Sequence, residues 1–382
     1  MKFLHLADLH IGKVVNGFSM LPDQAEILGQ IREAACREQV DCVVIAGDVY
    51  DRPIPPAEAV ELLDTFLTEI TEAGIPLLMA AGNHDSGVRL GFAGRILEAK
   101  GLVIAGTPAS PIKQVTFQDS YGEVAFFLLP FFKPAMLKEV LGEVPETTQE
   151  GVRKLLEREP VCLGRRNVLV THLFVTAGGA MPELSDSETT LRVGGVDSVD
   201  AGLFRMFDYT ALGHLHKRQR MGEGNVWYAG SPLKYSFSEV HHEKFLSLVE
   251  LKEAGNVQIR QIPLLPLHDM RTIKGRLHTL LSPKVAELAD REDYICAVLT
   301  DEEELPDPIG SLRRVYPNVM QLILEKNRIL LEETGISLPQ KKQQSLPEVY
   351  REFFEQVTGR EPDEERMRLV REAFEEAGGM GR

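Results

Sequence analysis

Hydrophobic residues follow two alternating patterns along the first two thirds of the chain. Short apolar runs rich in β-branched residues occupy positions 42–46, 76–80 and 167–170 and predict buried strands. Residues 23–38 and 57–73 instead place their apolar side chains on one helical face. Strands that alternate with helices in this way predict an α/β architecture.

A second group of apolar runs predicts a second sheet. These runs lie at residues 124–129, 226–229 and 246–251. Two sheets in one domain predict a sandwich flanked by helices. The proline-punctuated stretch 262–267 then predicts the end of this domain, which we assign to residues 1–265.

A smaller α+β domain is predicted for residues 268–332, where the pattern changes to a compact βαβαβ unit. The strands and helices of this unit are expected, in chain order, at residues 270–273, 283–289, 294–300, 309–316 and 319–324.

A polar segment, residues 333–345, predicts a linker, and residues 346–382 beyond it predict a helical tail with helices at 347–357 and 363–377. The first tail helix carries large apolar side chains at i, i+1, i+4, i+5 and i+8. This stripe consists of Val349, Tyr350, Phe353, Phe354 and Val357. An aromatic face beyond a polar tether favours docking into a groove of a partner protein. The alternative is that the stripe folds back onto the protein's own core.

Composition excludes several classes of protein. With 43% hydrophobic and 26% charged residues, the chain resembles globular proteins, and it lacks the run of roughly 18–20 apolar residues that crosses a membrane. Asp8 and His10 interrupt the apolar N-terminus, which argues against a signal peptide and for a cytoplasmic location. The four cysteines lack CxxC spacing, so neither a zinc knuckle nor a disulfide framework is indicated.

Side chains that bind metals follow several of the predicted strands. Because an open α/β sheet gathers its ligands beyond the carboxyl ends of its strands, we expect these side chains to converge. The candidate ligands are Asp8, His10, Asp48, Asn83, His172, His214 and His216. Two carboxylates, one amide and four imidazoles suffice for two ions that share a bridging carboxylate. Such a site is typical of enzymes that hydrolyse phosphate esters.

Each motif has an ordinary explanation when it is taken alone. The sequence Gly82-Asn83-His84-Asp85 could be a turn in which Asp85 caps the next helix. A histidine pair in an apolar context could simply belong to the core. Five such motifs in succession favour a metal site, and nitrogen and oxygen donors without thiolate suit Mn, Fe or Zn better than Ca. His268, outside the motifs, is expected at the surface.

The motif series Asp8-x-His10, Gly47-Asp48-x-x-Asp51, Gly82-Asn83-His84-Asp85, His172 and Gly213-His214-x-His216 resembles the calcineurin-like metallophosphoesterase superfamily. Within it, the runs HLADLHIGK, IAGDVYDRPIPP, DYTALGHLHKRQ and WYAGSPLKYSFSE look like the SbcD family, the nuclease subunit of a bacterial DNA-end-processing complex. The similarity extends over essentially the whole chain. It implies a two-sheet metallophosphoesterase sandwich with a capping domain at residues 268–332.

The resemblance also implies roles for the candidate residues. His84 would be a general acid that protonates the leaving 3′ oxygen, and Asp85 would either orient His84 or cap a helix. One manganese ion would be held by Asp8, His10, Asp48 and His216. The other would be held by Asp48, Asn83, His172 and His214.

The partners implied by the resemblance are DNA, an SMC-like ATPase of the SbcC type bound by the tail, and a second copy of the chain. The activity implied is an exonuclease on duplex ends and an endonuclease on single strands or hairpins. Basic or polar residues beside the motifs are candidate phosphate contacts, although each is equally compatible with a solvated surface position. They are Lys13, Asn16, Arg52, Arg89, Lys217 and Arg218. The long polar loop at residues 176–195, near His172, is expected to line the substrate groove.

Two other functions are compatible with the same motifs. One is a phosphomonoesterase or cyclic-nucleotide phosphodiesterase, and the other is a non-catalytic scaffold. The predicted extra domain and tail favour the nuclease, and the intact ligand set argues against the scaffold. The net charge of −15 argues mildly against DNA binding by the chain alone, but bound cations and a basic partner would offset it.

Overall fold

The computed structural model describes residues 1–159, 161–162, 164–188, 197–253, 255–325, 350–351, 354, 362–364 and 366–370. The chain forms two compact units. The first comprises Met1–Leu299 and Leu305–Ile323, and the second comprises Thr300–Glu304 and Leu324–Arg382. All the sheets and helices that position the site belong to the first unit.

The first sheet has six strands with Lys2–Leu6 near its centre. On one side of this strand lie three strands, each parallel to its neighbour. On the other side lie two strands, each antiparallel to its neighbour. The order across the sheet is Val257–Pro263, Phe245–Leu251, Lys2–Leu6, Cys42–Ala46, Leu77–Ala80 and Leu102–Ala105. Four neighbouring strands therefore present their carboxyl ends at one edge.

The second sheet also has six strands, and its central four are parallel. The order across this sheet is Gln219–Arg220, Val226–Tyr228, Tyr209–Gly213, Arg166–His172, Gly122–Leu129 and Lys113–Asp119. Gly213 lies opposite His172 in the register, so the two strands that precede the last three candidate ligands end side by side.

The two sheets pack face to face as a sandwich. Phe3 of the first sheet lies against Phe126 of the second in an edge-to-face contact with ring centroids 5.3 Å apart, and both side chains are fully buried. The opposite face of the first sheet is covered by the long helices Leu21–Glu38 and Ala57–Glu72, and that of the second by Thr148–Glu157. The predicted fold class, a helix-flanked two-sheet α/β sandwich, is confirmed. The assignment of residues 246–251 to the second sheet is wrong, because Phe245–Leu251 pairs antiparallel with Lys2–Leu6 in the first sheet, whereas the run at 167–170 belongs to the second.

Several elements had no clear pattern in the sequence. Strand Lys113–Asp119 has side chains that are at best half-buried, because it lies at the edge of its sheet, and strand Val257–Pro263 is the edge of the other sheet. Helix Thr148–Glu157 begins at a Thr147 cap, whose hydroxyl accepts the Glu150 N–H. Two short ribbons pair Val14–Val15 with Phe18–Ser19 and Val175–Thr176 with Val199–Asp200.

The remaining helical elements are short. The α-helical turns are Gly87–Leu90, Gly94–Glu98, Lys138–Leu141, Leu277–Leu280, Pro283–Ala286 and Pro308–Arg313. The 3₁₀ turns are Pro134–Leu137, Ala201–Phe204 and Phe237–Glu239. Among the residues that the structure describes, no helix combines the length and the hydropathy that a membrane span needs.

A three-stranded sheet follows the sandwich and occupies most of the predicted capping domain. Its strands, in spatial order, are Met270–Gly275, Tyr294–Leu299 and Val319–Leu324, and the first two are parallel. The predicted helices of this region begin where expected but are shorter. We call this the small-sheet region.

The small-sheet region is joined to the first long helix through a buried carboxylate. Asp23 is 0% exposed and accepts hydrogen bonds from the Tyr294 hydroxyl (2.7 Å), the His268 N–H (2.8 Å) and His268 Nδ1 (3.1 Å). His268, expected at the surface, is half-buried, with 23% of its side chain exposed. Its ring packs against that of Tyr294 and binds a carboxylate far away in the sequence.

The tail is described in part. Residues 350–351, 354, 364 and 366–370 are helical, and the Tyr350 and Phe354 rings lie 6.0 Å apart, as the predicted stripe requires. Val349, Phe353 and Val357, the other members of the stripe, lie outside the described residues.

Candidate metal centre

The seven candidate ligands come together where the carboxyl ends of strands from both sheets meet. The first sheet contributes Asp8, His10, Asp48 and Asn83, each just beyond a strand, and the second contributes the three remaining histidines. Six of the seven are buried, with Asn83 half-buried. The site thus joins the two halves of the sandwich.

Donor atoms of the two sheets lie within one coordination shell of each other. His10 Nε2 is 3.1 Å from His216 Nε2, and Asn83 Oδ1 is 3.0 Å from both His172 Nε2 and His214 Nδ1. Two nitrogens that each lie about 2.1 Å from one ion are roughly 3.0–3.4 Å apart, so these spacings fit shared ions.

Asp48 stands between two groups of donors. Its Oδ2 is 3.3 Å from His172 Nε2 and 3.7 Å from His10 Nε2. Donor atoms of Asp8, Asp48 and His172 lie within 4.8 Å of one another, and so do those of Asp8, His10 and His216. A carboxylate in this position can bridge two ions.

Four of the ligands have a backbone conformation that L-residues rarely adopt. Asp8, His10, Asp48 and His214 have φ angles of 55°, 45°, 51° and 105°. Each such residue costs about 1–3 kcal/mol unless its surroundings hold it. Backbone strain of this kind is concentrated at functional sites. Here it accompanies the convergence of these four side chains on the candidate metal centre.

Hydrogen bonds between the ligand loops maintain this conformation. The Asp8 N–H donates to the Gly47 carbonyl (3.0 Å) and the His10 N–H to the Asp48 carbonyl (2.9 Å). The His214 N–H donates to Asp8 Oδ1 at 2.9 Å, which ties a loop of the second sheet to a carboxylate of the first.

Glycine is required at positions 47 and 82 because the loops that carry the candidate ligands lie close together. A Cβ added to Gly82 would lie 2.1 Å from Asp48 Oδ1, and one added to Gly47, which has a φ of +89°, would lie 2.3 Å from His172 Nδ1. Both positions need glycine because a side chain would displace a candidate ligand.

Burial sets the charge state of the imidazoles. It lowers the pKa of His10 well below its usual value and that of His214 to about 3, so both rings are neutral and offer lone pairs. Burial also raises the pKa of Asp8. For His172 burial acts in the lowering direction, but the Asp48 carboxylate raises its pKa to about 9. The neutral imidazoles of His10 and His214 beside buried carboxyl groups form a donor set that fits divalent cations, and a bound cation would displace the proton of His172.

The tautomers of two histidines are fixed by carbonyl groups. His172 Nδ1–H donates to the Ala46 carbonyl at 2.8 Å, which leaves Nε2 for the site. His84 Nδ1–H donates to the Asp51 carbonyl at 2.9 Å, and its Nε2 lies 4.0 Å from Asp48 Oδ2. The His84 side chain is 25% exposed, whereas the ligand imidazoles are buried, so it lies at the opening of the site.

Asp85 has other partners than the sequence led us to expect. Its carboxylate accepts hydrogen bonds from the backbone N–H groups of Gly82 (2.8 Å), Tyr50 (2.9 Å) and Val49 (3.1 Å). Burial, reinforced by the nearby charge of Asp48, raises the pKa of Asp85 to about 6. Asp85 therefore joins the loop that carries Asp48 to the loop that carries Asn83, and the orientation of His84 comes from the Asp51 carbonyl.

Sequence reasoning missed a residue that supports the first ligand loop. Gln24 Nε2 donates to the carbonyls of His10 (2.8 Å) and Leu9 (3.2 Å), and its Oε1 accepts the Gly12 N–H (3.0 Å). The Tyr235 hydroxyl donates to the same Leu9 carbonyl. A buried glutamine on the apolar face of a helix was the available signal, but its partner could not be read from the sequence.

Two lysines among the predicted DNA contacts are engaged by acidic side chains, and the more exposed Arg52 guanidinium lies 3.9 Å from Asp51 Oδ2. Lys13 Nζ lies 2.7 Å from Asp51 Oδ1, with only 14% of its side chain exposed. Lys217 forms an ion pair with Glu183. Both charges are thus partly neutralised within the protein.

Arg218 is also held within the fold. Its guanidinium lies over the Trp227 ring, 4.3 Å from the centroid. The three remaining candidates are exposed at the surface. They are Asn16, Arg52 and Arg89.

Two family models match parts of this chain. The family model described as calcineurin-like phosphoesterase matches residues 1–160, and that described as type 5 capsule protein repressor C-terminal domain matches residues 266–358. Among solved structures, a dimetal phosphatase from Danio rerio is 14% identical with a TM-score of 0.43, covering 70% of this chain and 98% of its own. The phosphoesterase Yfce from E. coli is 15% identical with a TM-score of 0.28, covering 69% of this chain and 100% of its own.

A curated relative matches nearly the whole length. The SbcD subunit of the nuclease SbcCD from Staphylococcus epidermidis is 31% identical over 362 residues, which covers 94% of this chain and 94% of the relative. The match extends through both the sandwich and the small-sheet region. The resemblance drawn from the motifs is thereby confirmed, and the chain belongs to the SbcD family of calcineurin-like, metal-dependent nucleases.

Proposed function

We propose that this protein is the nuclease subunit of a cytoplasmic SbcCD-type DNA repair and recombination complex. It hydrolyses phosphodiester bonds as an exonuclease on duplex ends and as an endonuclease on single strands or hairpins. The observation that carries the proposal is the convergence of seven nitrogen and oxygen donors from both sheets beside a partly exposed histidine.

In this proposal two divalent ions, manganese in preference to iron or zinc, share Asp48. One is held with Asp8, His10 and His216, and the other with Asn83, His172 and His214. Bound there, the ions would neutralise charge on the attacked phosphoryl group and lower the pKa of water. The 3.1 Å and 3.0 Å spacings within each group support the assignment.

His84 is the proposed general acid. Because Nδ1–H is committed to the Asp51 carbonyl, the ring can gain and release a proton at Nε2, which points toward the site. Its partial exposure allows a leaving 3′ oxygen to reach it. The buried ligand histidines do not have this access.

A substrate panel tests the function. Linear duplex DNA, hairpin DNA, p-nitrophenyl phosphate and a cyclic nucleotide are each incubated with the full-length protein and Mn²⁺. Cleavage of the DNA substrates with little hydrolysis of the small esters is expected. The reverse preference would identify a phosphomonoesterase or cyclic-nucleotide phosphodiesterase instead.

We further propose that residues 1–265 form the nuclease domain, 268–332 a cap that positions DNA, 333–345 a linker and 346–382 the segment that binds the ATPase. The family match over residues 266–358 supports a separate C-terminal module. The exposed Asn16, Arg52 and Arg89 are the best placed of the candidate phosphate contacts.

Deleting residues 340–382 is expected to abolish co-purification with the SbcC-type ATPase while Mn²⁺-dependent cleavage of short DNA persists. The physical reason is that the aromatic stripe, and not the sandwich, would fill the partner's groove. Affinity pull-down of the co-expressed ATPase is the measurement, with the full-length chain as control. Unchanged capture by the truncated chain would contradict the assignment.

An exposed apolar patch supports a homodimer. Val88 and Ile96 lie on two consecutive short helices and Phe92 in the turn between them, and the three side chains are 76%, 74% and 81% exposed, respectively. Three large apolar side chains this accessible are typical of an interaction surface. The helices immediately follow the loop that carries Asn83 and His84, so a dimer through this face would bring two metal sites to one DNA.

Replacing Phe92 with Glu is expected to convert the dimer to a monomer, because a carboxylate would be desolvated at the centre of the interface. Light scattering coupled to size-exclusion chromatography gives the mass. Leu288→Glu is the matched control, since Leu288 is 80% exposed in the small-sheet region. A dimer that persists in Phe92→Glu would exclude this face.

A further inference from the structure

The outer nitrogen of one candidate ligand is connected to a buried carboxylate through a serine. His216 Nδ1 lies 2.7 Å from Ser187 Oγ, and Ser187 Oγ lies 2.6 Å from Glu239 Oε1. Glu239 is 0% exposed, and His216 is 2% exposed. Neither Ser187 nor Glu239 was among the residues that the motifs singled out as ligands.

Glu239 is held as a carboxylate by a cation. Lys244 Nζ donates to its Oε2 at 2.6 Å and also to Ser231 Oγ and the His216 carbonyl. A carboxylate without a proton can only accept hydrogen bonds. The Ser187 hydroxyl must therefore donate to Glu239.

The direction of this hydrogen bond fixes the histidine tautomer. With its proton directed to Glu239, the Ser187 oxygen acts as acceptor toward His216, so Nδ1 carries the hydrogen. The lone pair of His216 then lies on Nε2. That atom faces His10 Nε2 at 3.1 Å, inside the metal centre.

We propose that Ser187 and Glu239 are positioning residues that orient His216 and increase its strength as a metal ligand. The arrangement extends the carboxylate–histidine–metal pattern by one hydroxyl group. At His172 the corresponding acceptor is the neutral Ala46 carbonyl, so the ion bound by His216 receives more negative charge from its surroundings. The inference rests on the metal site proposed above.

The segment that carries Ser187 is held in the same region by one further side chain and one backbone N–H group. Glu188 Oε1 accepts the His216 N–H at 2.6 Å, and the Asp186 N–H donates to Ser238 Oγ at 3.0 Å. Residues 185–188 therefore contact both the ligand loop and the 3₁₀ turn Phe237–Glu239. The sequence predicts that this long polar loop lines the substrate groove, whereas these described residues support a ligand.

Titration of the metal-free, full-length protein with MnCl₂ in a calorimeter tests the inference. Ser187→Ala is expected to weaken one of two Mn²⁺ sites by about 10–100-fold. Ser187→Thr, which keeps the hydroxyl, is expected to restore most of that affinity. Asp186→Ala is the control, because the exposed Asp186 side chain adjoins Ser187 without entering the hydrogen-bonded chain.

The possible results distinguish failure of the positioning role from failure of the proposed metal site. If Ser187→Ala binds two Mn²⁺ ions with the unmodified Kd values, or if Ser187→Thr is as weak as Ser187→Ala, the positioning role is overturned and the nuclease proposal stands. If the unmodified protein binds no divalent ion, the metal centre itself is wrong and the inference fails with it. The melting temperature of each metal-free variant shows whether the fold is preserved.

Discussion

His84→Ala is expected to lower the rate of DNA cleavage by about 10²–10⁴-fold while both metal ions remain bound. The ring lies beside Asp48 but is partly exposed, and its Nδ1–H is committed to the Asp51 carbonyl. Removing it takes away a proton donor for the leaving group without removing a donor atom from either proposed ion. The cleavage rate is measured on end-labelled duplex DNA, and metal content by mass spectrometry.

The control for this variant is His278→Ala, which removes an exposed histidine of the small-sheet region. It should cleave DNA at the normal rate. Normal cleavage by His84→Ala would rule out the general-acid role. Loss of metal together with activity would instead make His84 a ligand.

Asp48→Asn is expected to have the largest effect, with fewer than two ions retained and cleavage lowered by at least about a thousandfold. A loss of several kcal/mol of charge stabilisation in the transition state lowers the rate by roughly that factor. Asn preserves the shape of the side chain but removes the negative charge that would bridge both ions. The Asn side-chain oxygen can still accept the His84 N–H, which Asp48 Oδ1 accepts at 2.8 Å, so that loop is expected to keep its position.

Metal content and duplex cleavage are the two measurements, and Asp64→Asn on the exposed face of helix Ala57–Glu72 is the matched control. The metal-free forms should melt within a few degrees of each other. Mn²⁺ should raise the melting temperature of the unmodified protein much more than that of Asp48→Asn, because only an ion that binds the folded state stabilises it. Equal stabilisation by Mn²⁺ would show that Asp48 is not a shared ligand.

The sandwich and the convergence of the candidate ligands were predictable because their signals are local. A buried parallel strand is a continuous apolar run, and a ligand at its carboxyl end follows it directly, as Asp48 follows Cys42–Ala46. Strand Lys113–Asp119 escaped prediction because its pattern reflects an edge position, which depends on the neighbouring strand.

The hydrogen bonds that support the candidate ligands were not predictable, because they too depend on segments that are distant in the sequence. Gln24 meets His10, only 14 positions away, but Ser187 meets Glu239 at a separation of 52 and Asp23 meets Tyr294 at a separation of 271. Each contact requires the complete fold to bring its partners together. A polar residue in a buried pattern signals that a partner exists, but not which one.

Asp23 and Gln24 are neighbours in the first turn of helix Leu21–Glu38, and they serve different parts of the molecule. Asp23 anchors His268 and Tyr294 of the small-sheet region, whereas Gln24 anchors the loop of His10. The small-sheet region and the loop of His10 are therefore anchored to the same helical turn. A shift of the small-sheet region is therefore expected to reach the first ligand loop through a single turn of helix, without passing through either sheet.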